Sequence, residues 1–341
     1  MKKILIGTSA LVATASIAAA ETSLDWSGSA RFGVAYNEAN DDKPGGETRI
    51  EQRLRLNMRG TTTTDTGMEF SARIRFEANE AADDSISGTG NGAAEFTVKS
   101  GGFRLDLGNT SDLIDGGSVV NFYGNGIGFT SFLDQRSNFS EGFPLTGFGA
   151  GDSDKTTLTL QYAIGDLTVG MSYSDNESAI ETTSSSVTVP ATAVPGDELD
   201  VNTTTTTTES DERIYMIGAG YAFGKYDVGI AYGDQQDDVK NKDNDFWVAS
   251  FGGEVGDMSF TLVVGDSDDA DDTMFGGSLS YNMSASTSIR VAFSEGGADA
   301  SDTSYGIGFR HSLGGGVTLA GGIGEDKSGN SVADLGVSFS F

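Results

Sequence analysis

The sequence predicts an all-β fold, a closed antiparallel transmembrane barrel of sixteen strands. Three observations carry this prediction. Apolar and charged residues alternate with period two from end to end. An export-type N-terminus precedes a chain without further long apolar stretches, and an amphipathic strand ends the chain on a phenylalanine.

The first strand places Leu24, Trp26, Ala30, Phe32, Val34 and Tyr36 on one face, and Asp25, Ser27, Ser29 and Arg31 on the other. In the second, Ile50, Leu54, Leu56 and Met58 alternate with Arg49, Glu51, Arg53, Arg55, Asn57 and Arg59. In the third, Met68, Phe70, Ala72, Ile74 and Phe76 alternate with Glu69, Ser71, Arg73, Arg75 and Glu77. Faces this charged cannot line a protein core. Apolar side chains outside and charged ones inside suit a barrel in lipid around water. Thirteen further segments read the same way: 93–99, 103–108, 156–163, 167–174, 212–223, 226–233, 245–255, 258–265, 273–282, 286–294, 303–312, 316–324 and 332–341.

The ends and the composition agree. Residues 1–20 read as a signal peptide: Lys2 and Lys3, an apolar stretch from Ile4 to Ile17, then Ala18-Ala19-Ala20 as a cleavage site. The stretch is too short for a comfortable spanning helix. Residues 21–341 are then the barrel, and loss of two lysines takes the formal charge from −29 to −31. Cysteine is absent, so no disulfide staples an exported fold; a closed hydrogen-bond ladder can hold it instead. No compositional break marks a second domain, and no nucleic-acid partner is expected.

The connections alternate in length. Gly224-Lys225, Asn282–Ser284 and Gly314–Gly316 are tight turns suited to a periplasmic rim. Asp234–Asp243 and Asp266–Asp272 are longer acidic loops, and all four prolines fall in loops. Residues 175–211, rich in threonine, read as a long mobile external loop. Tyr36, Tyr173, Tyr232 and Phe293 are expected at the outer rim. Tyr221, Phe223, Tyr226, Tyr281 and Phe341 are expected at the periplasmic one, as two aromatic girdles.

At four places the chain resembles the general porin family of Gram-negative bacteria, in its alpha-proteobacterial form. These are Leu24-Asp-Trp-Ser-Gly-Ser-Ala-Arg-Phe-Gly-Val, Met58-Arg-Gly-Thr-Thr-Thr-Thr-Asp-Thr-Gly-Met-Glu-Phe, Gly101-Gly-Phe-Arg-Leu-Asp-Leu-Gly-Asn and Val332-Ala-Asp-Leu-Gly-Val-Ser-Phe-Ser-Phe. The resemblance implies sixteen strands, a homotrimer in the outer membrane and a third external loop folded into the barrel. Phe341 resembles the terminal signal read by the outer-membrane assembly machinery. Lipopolysaccharide and lipid are the expected surroundings, and small hydrophilic solutes the expected cargo. The expected function is general diffusion through a water-filled pore, with a substrate-specific sugar or anion channel as the alternative.

The pore chemistry is expected on three neighbouring strands. Arg31, Arg53, Arg55, Arg73 and Arg75 point inward on strands roughly 4.8 Å apart, with Glu51, Glu69 and Glu77 nearby to offset the like charges. Residues 109–155 form a long connection where a hairpin turn would suffice, which marks function. If it folds inward as the resemblance implies, Asp112, Asp115, Asp134 and Glu141 would face the arginines across a narrow waist. Such a charged waist would filter by size and polarity. Its aromatics (Phe122, Tyr123, Phe129, Phe132, Phe139, Phe143 and Phe148) either pack the loop on the wall or form a sugar slide. Packing is the favoured reading.

The acidic loops set the field at the mouth, and a mildly cationic net preference is expected. Asp268-Asp269 with Asp271-Asp272 lack a calcium loop's fixed spacing, so loosely bound Ca2+ is the only cofactor they suggest. Catalysis is not expected. The single histidine, His311, lies on an apolar face without an acidic neighbour, and no metal-ligand cluster is visible.

Overall fold

The alternation becomes a single closed sheet in the computed structural model, which describes residues 22–43, 46–80, 86–91, 93–148, 156–188 and 200–341. The strands are β1 (Thr22–Asn37), β2 (Thr48–Thr63), β3 (Glu69–Glu80), β4 (Ile86–Asn91), β5 (Glu95–Ser100) and β6 (Phe103–Gly108). Then come β7 (Thr156–Ile164), β8 (Leu167–Thr188), β9 (Asp200–Phe223), β10 (Tyr226–Asp237), β11 (Lys242–Val255) and β12 (Met258–Ser267). The last five are β13 (Asp272–Asn282), β14 (Thr287–Gly297), β15 (Ser304–Gly314), β16 (Val317–Glu325) and β17 (Ser331–Ser340). All pairings are antiparallel, and β1 pairs with both β2 and β17, which closes the ring. β4 and β5 pair with successive parts of β3 and make one broken stave, so the seventeen strands form sixteen staves, the expected number.

The chain end completes the closure. Gly28 N–H donates to Phe341 O at 2.7 Å, and Phe341 N–H donates back to Gly28 O at 3.0 Å. Outward positions carry an exposed apolar belt that includes Leu24, Trp26, Ile50, Ile217, Ile230 and Ile323. Rings gather at its edges. Tyr221, Phe223, Tyr226 and Phe251 stack in sequence at 5.8–6.0 Å near the short turns, and Tyr173 meets Tyr215 at 4.9 Å toward the long loops. Gly224, at φ +68°, allows the tight turn between β9 and β10.

The signal peptide, residues 1–20, lies outside the described residues. The Thr-rich segment 175–211 is not an unpaired loop for most of its length: β8 and β9 stay in register from Asp175↔Arg213 out to Thr188↔Asp200. Threonine's branched Cβ favours the pleated conformation, which the low-complexity reading overlooked.

The connection after β6 does fold inward and passes along the inside of the wall. Leu113 N–H donates to Ser172 on β8, Asn121 N–H to Ser250 on β11, and Asn125 N–H to Ser278 on β13. Asn138 N–H donates to Ser294 on β14, and Phe129 and Thr130 N–H to Asp334 on β17. Small residues on the wall let the loop backbone come this close. A Cβ at Gly229 would sit 1.8 Å from Val119 O, and one at Gly276 1.9 Å from Gln135 O. Beneath the loop the inward residues are apolar and buried, among them Met216, Ala231, Phe246, Val248, Val263 and Met274. The barrel's core therefore lies between loop and wall, on one side of its interior.

Candidate functional site

The opposite side of the interior keeps its charge. Antiparallel register sets Arg31 directly across from Arg53, Arg55 across from Glu77, Arg59 across from Arg73, and Arg73 across from Glu95. Two of these pairs are like charges, which a sheet tolerates only with compensation. Glu51 supplies it to Arg31 at 2.6 Å and to Arg49 at 3.3 Å. Glu77 pairs with Arg55 at 2.6 Å. Glu95 pairs with Arg73 at 2.7 Å and Arg59 at 3.8 Å, and accepts from Thr110 Oγ1 at 3.0 Å. Glu69, expected to help, binds Lys99 instead at 3.1 Å. Arg53 makes no ion pair within 4.0 Å among the described residues.

The wall also holds the returning limb of the loop. Arg73 stacks on the Phe148 ring at 3.4 Å from its centroid, and Arg75 lies 4.4 Å from it. Arg75 donates to Phe148 O at 3.0 Å and to Asn57 Oδ1 at 3.1 Å. Guanidinium faces suit such stacking because they are planar and weakly hydrated. All five expected arginines thus lie on one inner wall, on adjacent staves.

The described acids of the loop do not form the expected partner face. Asp112 is wholly buried, not on the lumen. Its Oδ1 accepts from Ile114 N at 2.9 Å and Asp115 N at 2.8 Å, and its Oδ2 accepts from Thr146 N. With Asp112 N donating to Thr146 O at 2.8 Å, the residue joins the two limbs of the loop. Burial pushes its carboxyl up to about 7, against the three backbone donors that lower it. Asp134 is also buried and pairs within the loop with Arg136 at 3.5 Å. Burial raises its pKa, with Arg136 pulling the other way. Asp115 accepts from Tyr123 OH, whose pKa is raised by burial and by that carboxylate. The Glu141 side chain lies outside the described residues. None of the three described acids pairs with a wall arginine. The reason is physical: a loop that crosses a barrel must satisfy its own backbone N–H groups, and Asp112 and Asp134 do so, while Asp115 is taken by the Tyr123 hydroxyl.

The loop's aromatics follow the packing reading. Phe122, Phe129, Phe139 and Phe143 are buried, and Phe122, Phe139 and Phe143 meet with centroids 5.5–5.6 Å apart. Phe148 is held by the arginines, and Tyr123 and Phe132 pack against the buried clusters.

The chain is similar to known proteins. The sequence pattern of the Gram-negative porin family matches residues 7–331. The chain belongs to that family. A porin of Fuscovulum blasticum is 28% identical over 326 residues, covering 92% of this chain and 98% of the relative. A porin of Rhodobacter capsulatus is 26% identical over 346 residues, covering 92% and 99%. Among solved structures, a variant of the Rh. blastica porin matches the fold with a TM-score of 0.71 at 24% identity, covering 94% of this chain and all of that one.

The porin site contains residues that sequence reading did not single out. Glu95 and Asp334 are inward carboxylates whose partners only the register reveals. Asp334 accepts from Phe129 N at 3.1 Å, Thr130 N at 2.9 Å and Thr130 Oγ1 at 2.6 Å, fixing the loop on β17. Arg290 and Arg310 point inward from β14 and β15 and donate to Gly126 O at 3.4 Å and Gly128 O at 3.3 Å. Their alternation with outward Val291 and Phe309 could have identified them. His311 bonds Thr287 Oγ1 through Nδ1 at 2.8 Å, so its partner there is a hydroxyl, not a carboxylate. Among the described residues no group of three or more acidic, His or Cys side chains is placed to hold a metal ion.

Proposed function

We propose that the chain forms a water-filled diffusion pore for small hydrophilic solutes and ions, working as a trimer in the outer membrane with its short turns on the periplasmic side. The observation that carries the reading is the inward loop, pinned across the interior with its apolar side on β8–β15 and leaving the arginine wall to water. The lipid-facing belt and its aromatic edges support the location, and membership of the porin family supports the trimer. Solutes pass between the loop and β1–β3, where the guanidinium groups set size and polarity limits. Asp112 and Asp134 are turned into the loop's own structure, so the waist is more basic than an opposed-charge filter would be. The acidic loops still favour cations at the mouth.

Planar-bilayer recording tests this. Purified protein should give large stepwise openings whose current is linear with solute or salt concentration. Silent bilayers from correctly folded protein would sink the pore reading.

A further inference from the structure

Between the loop tip and the short-turn rim lies a cavity of about 450 Å3 that the wall arginines share with β15. Arg31, Arg53 and Arg310 line it together with six serine and threonine residues, Thr130 and Ser131 among them, and its lining includes no carboxylate. Of the three arginines only Arg31 has an acidic partner within 4.0 Å among the described residues, namely Glu51. Arg290 adds a fourth positive charge from the neighbouring strand. In the β14–β15 register Ser288 stands opposite Arg310, so Arg290 is its diagonal neighbour.

The arginines are held but not saturated. Arg310 donates only long bonds, 3.3 Å to Gly128 O and 3.4 Å to Ser131 Oγ. The Nε atoms of Arg31, Arg290 and Arg310 are buried without a hydrogen-bond partner. A guanidinium carries five donors in a planar fork, and those of Arg53 and the Nη1 group of Arg310 remain available. The like charges repel in two pairs, Arg31 with Arg53 and Arg290 with Arg310, and Glu51 and the nearby Asp334 carboxylate offset them only in part. An oxyanion would offset the repulsion and accept the spare donors in pairs, the geometry for which guanidinium is suited.

We propose that this cavity is an oxyanion-binding subsite of the pore, on the short-turn side of the constriction loop. Arg53 and Arg310 are its principal donors, and the Ser131 hydroxyl stands at its edge, that of Thr130 being given to Asp334 at 2.6 Å. It takes the phosphate, sulfate or carboxylate group of a small solute. The proposal rests on the pore reading for its role in transport, but not for binding itself. An anion that dwells here obstructs the passage, so phosphate should reduce chloride current in a saturable way.

Inorganic phosphate is the first probe, titrated calorimetrically into folded protein in detergent. Sulfate, glycerol phosphate and succinate then separate free anions from larger solutes that carry the same group. Wild type should bind phosphate saturably. Arg53→Gln, which removes no loop contact, and Arg310→Gln should each weaken binding by about tenfold or more. Arg104→Gln removes an equal charge from β6, where Arg104 pairs with Asp106 at 2.7 Å, and should leave binding unchanged. In bilayers the wild-type block by phosphate should share the calorimetric midpoint. Absence of saturable binding, or equal weakening in all three variants, would overturn the subsite in favour of a diffuse field. Binding that persists in a protein without conductance would support the subsite while removing the pore reading.

Discussion

Replacing Gly229 with alanine should displace the constriction loop. The new Cβ would stand 1.8 Å from Val119 O, 2.8 Å from Val119 C and 3.1 Å from Val120 Cα. All three are backbone atoms, so no side-chain rotation relieves the contact. Cβ contacts shorter than 3.0 Å are essentially never seen, so the loop must retreat by at least 1.2 Å from β10. The direction away from β10 is toward the lumen and the arginine wall. Overpacking of this kind costs about 1–3 kcal/mol, to be compared with the hydrogen bonds that hold the loop nearby. Asn121 N–H to Ser250 Oγ, at 3.0 Å, is the first that such a shift strains. The assay is single-channel conductance together with urea unfolding of the folded band. Gly229→Ala should lower or destabilise the open level and shift unfolding to lower urea. Gly276→Ala, with its Cβ 1.9 Å from Gln135 O, should do the same. Gly60→Ala is the control, since nothing lies within 4 Å of its Cβ. Wild-type conductance and stability in both inner-wall variants would refute the placement of the loop against β10 and β13.

Three further outcomes follow from the same geometry. Arg73→Ala leaves Glu95, whose side chain is 2% exposed, with the Thr110 hydroxyl at 3.0 Å and with Arg59 at 3.8 Å as its remaining cation, and removes Arg73's stack on Phe148. It should cost roughly 3 kcal/mol in urea unfolding, and a loss below the error of the fit would show the pair to be inert. Arg53→Ala removes a charge with no ion pair among the described residues, so it should move the reversal potential in a salt gradient toward cations without lowering stability. A shift toward anions would contradict a basic waist. Asp112 has its folded pKa raised to about 7 from 3.8, so the folded state holds a proton that the unfolded state has lost between those values. Its contribution to stability is therefore full below about pH 4 and is lost as pH rises to about 7, an effect of roughly 4 kcal/mol. Stability measured from pH 4 to 8 should flatten in Asp112→Asn; an unaltered slope would assign the effect to other groups.

Much of the fold was legible because a strand in lipid around water has only one choice at each position. Arg53, Arg55, Arg73 and Arg75 alternate with Leu54, Leu56, Phe76 and Ile74, and period two alone puts them on the wet face. β11 was harder. There Phe246 and Val248 point inward while Trp247 and Phe251 point outward, because the loop covers that part of the wall and makes both faces apolar. Glu95 and Asp334 escaped notice since a carboxylate's role depends on what the register sets beside it. The acids of the loop misled for a related reason: composition marks Asp112 and Asp134 as charges, whereas their burial against backbone N–H groups makes them structural.

The sequence by itself determined the barrel, its stave number, its lipid and water faces and the patch of arginines. All of these follow from local alternation, which the chain carries in every strand. Only the tertiary structure decided which carboxylate offsets which arginine, that the Thr-rich segment pairs, and where the loop rests. Those depend on groups far apart in the chain, such as Thr130 and Asp334, 204 residues apart, meeting across a closed ring. No local pattern encodes that distance; barrel closure and the small residues that admit the loop do.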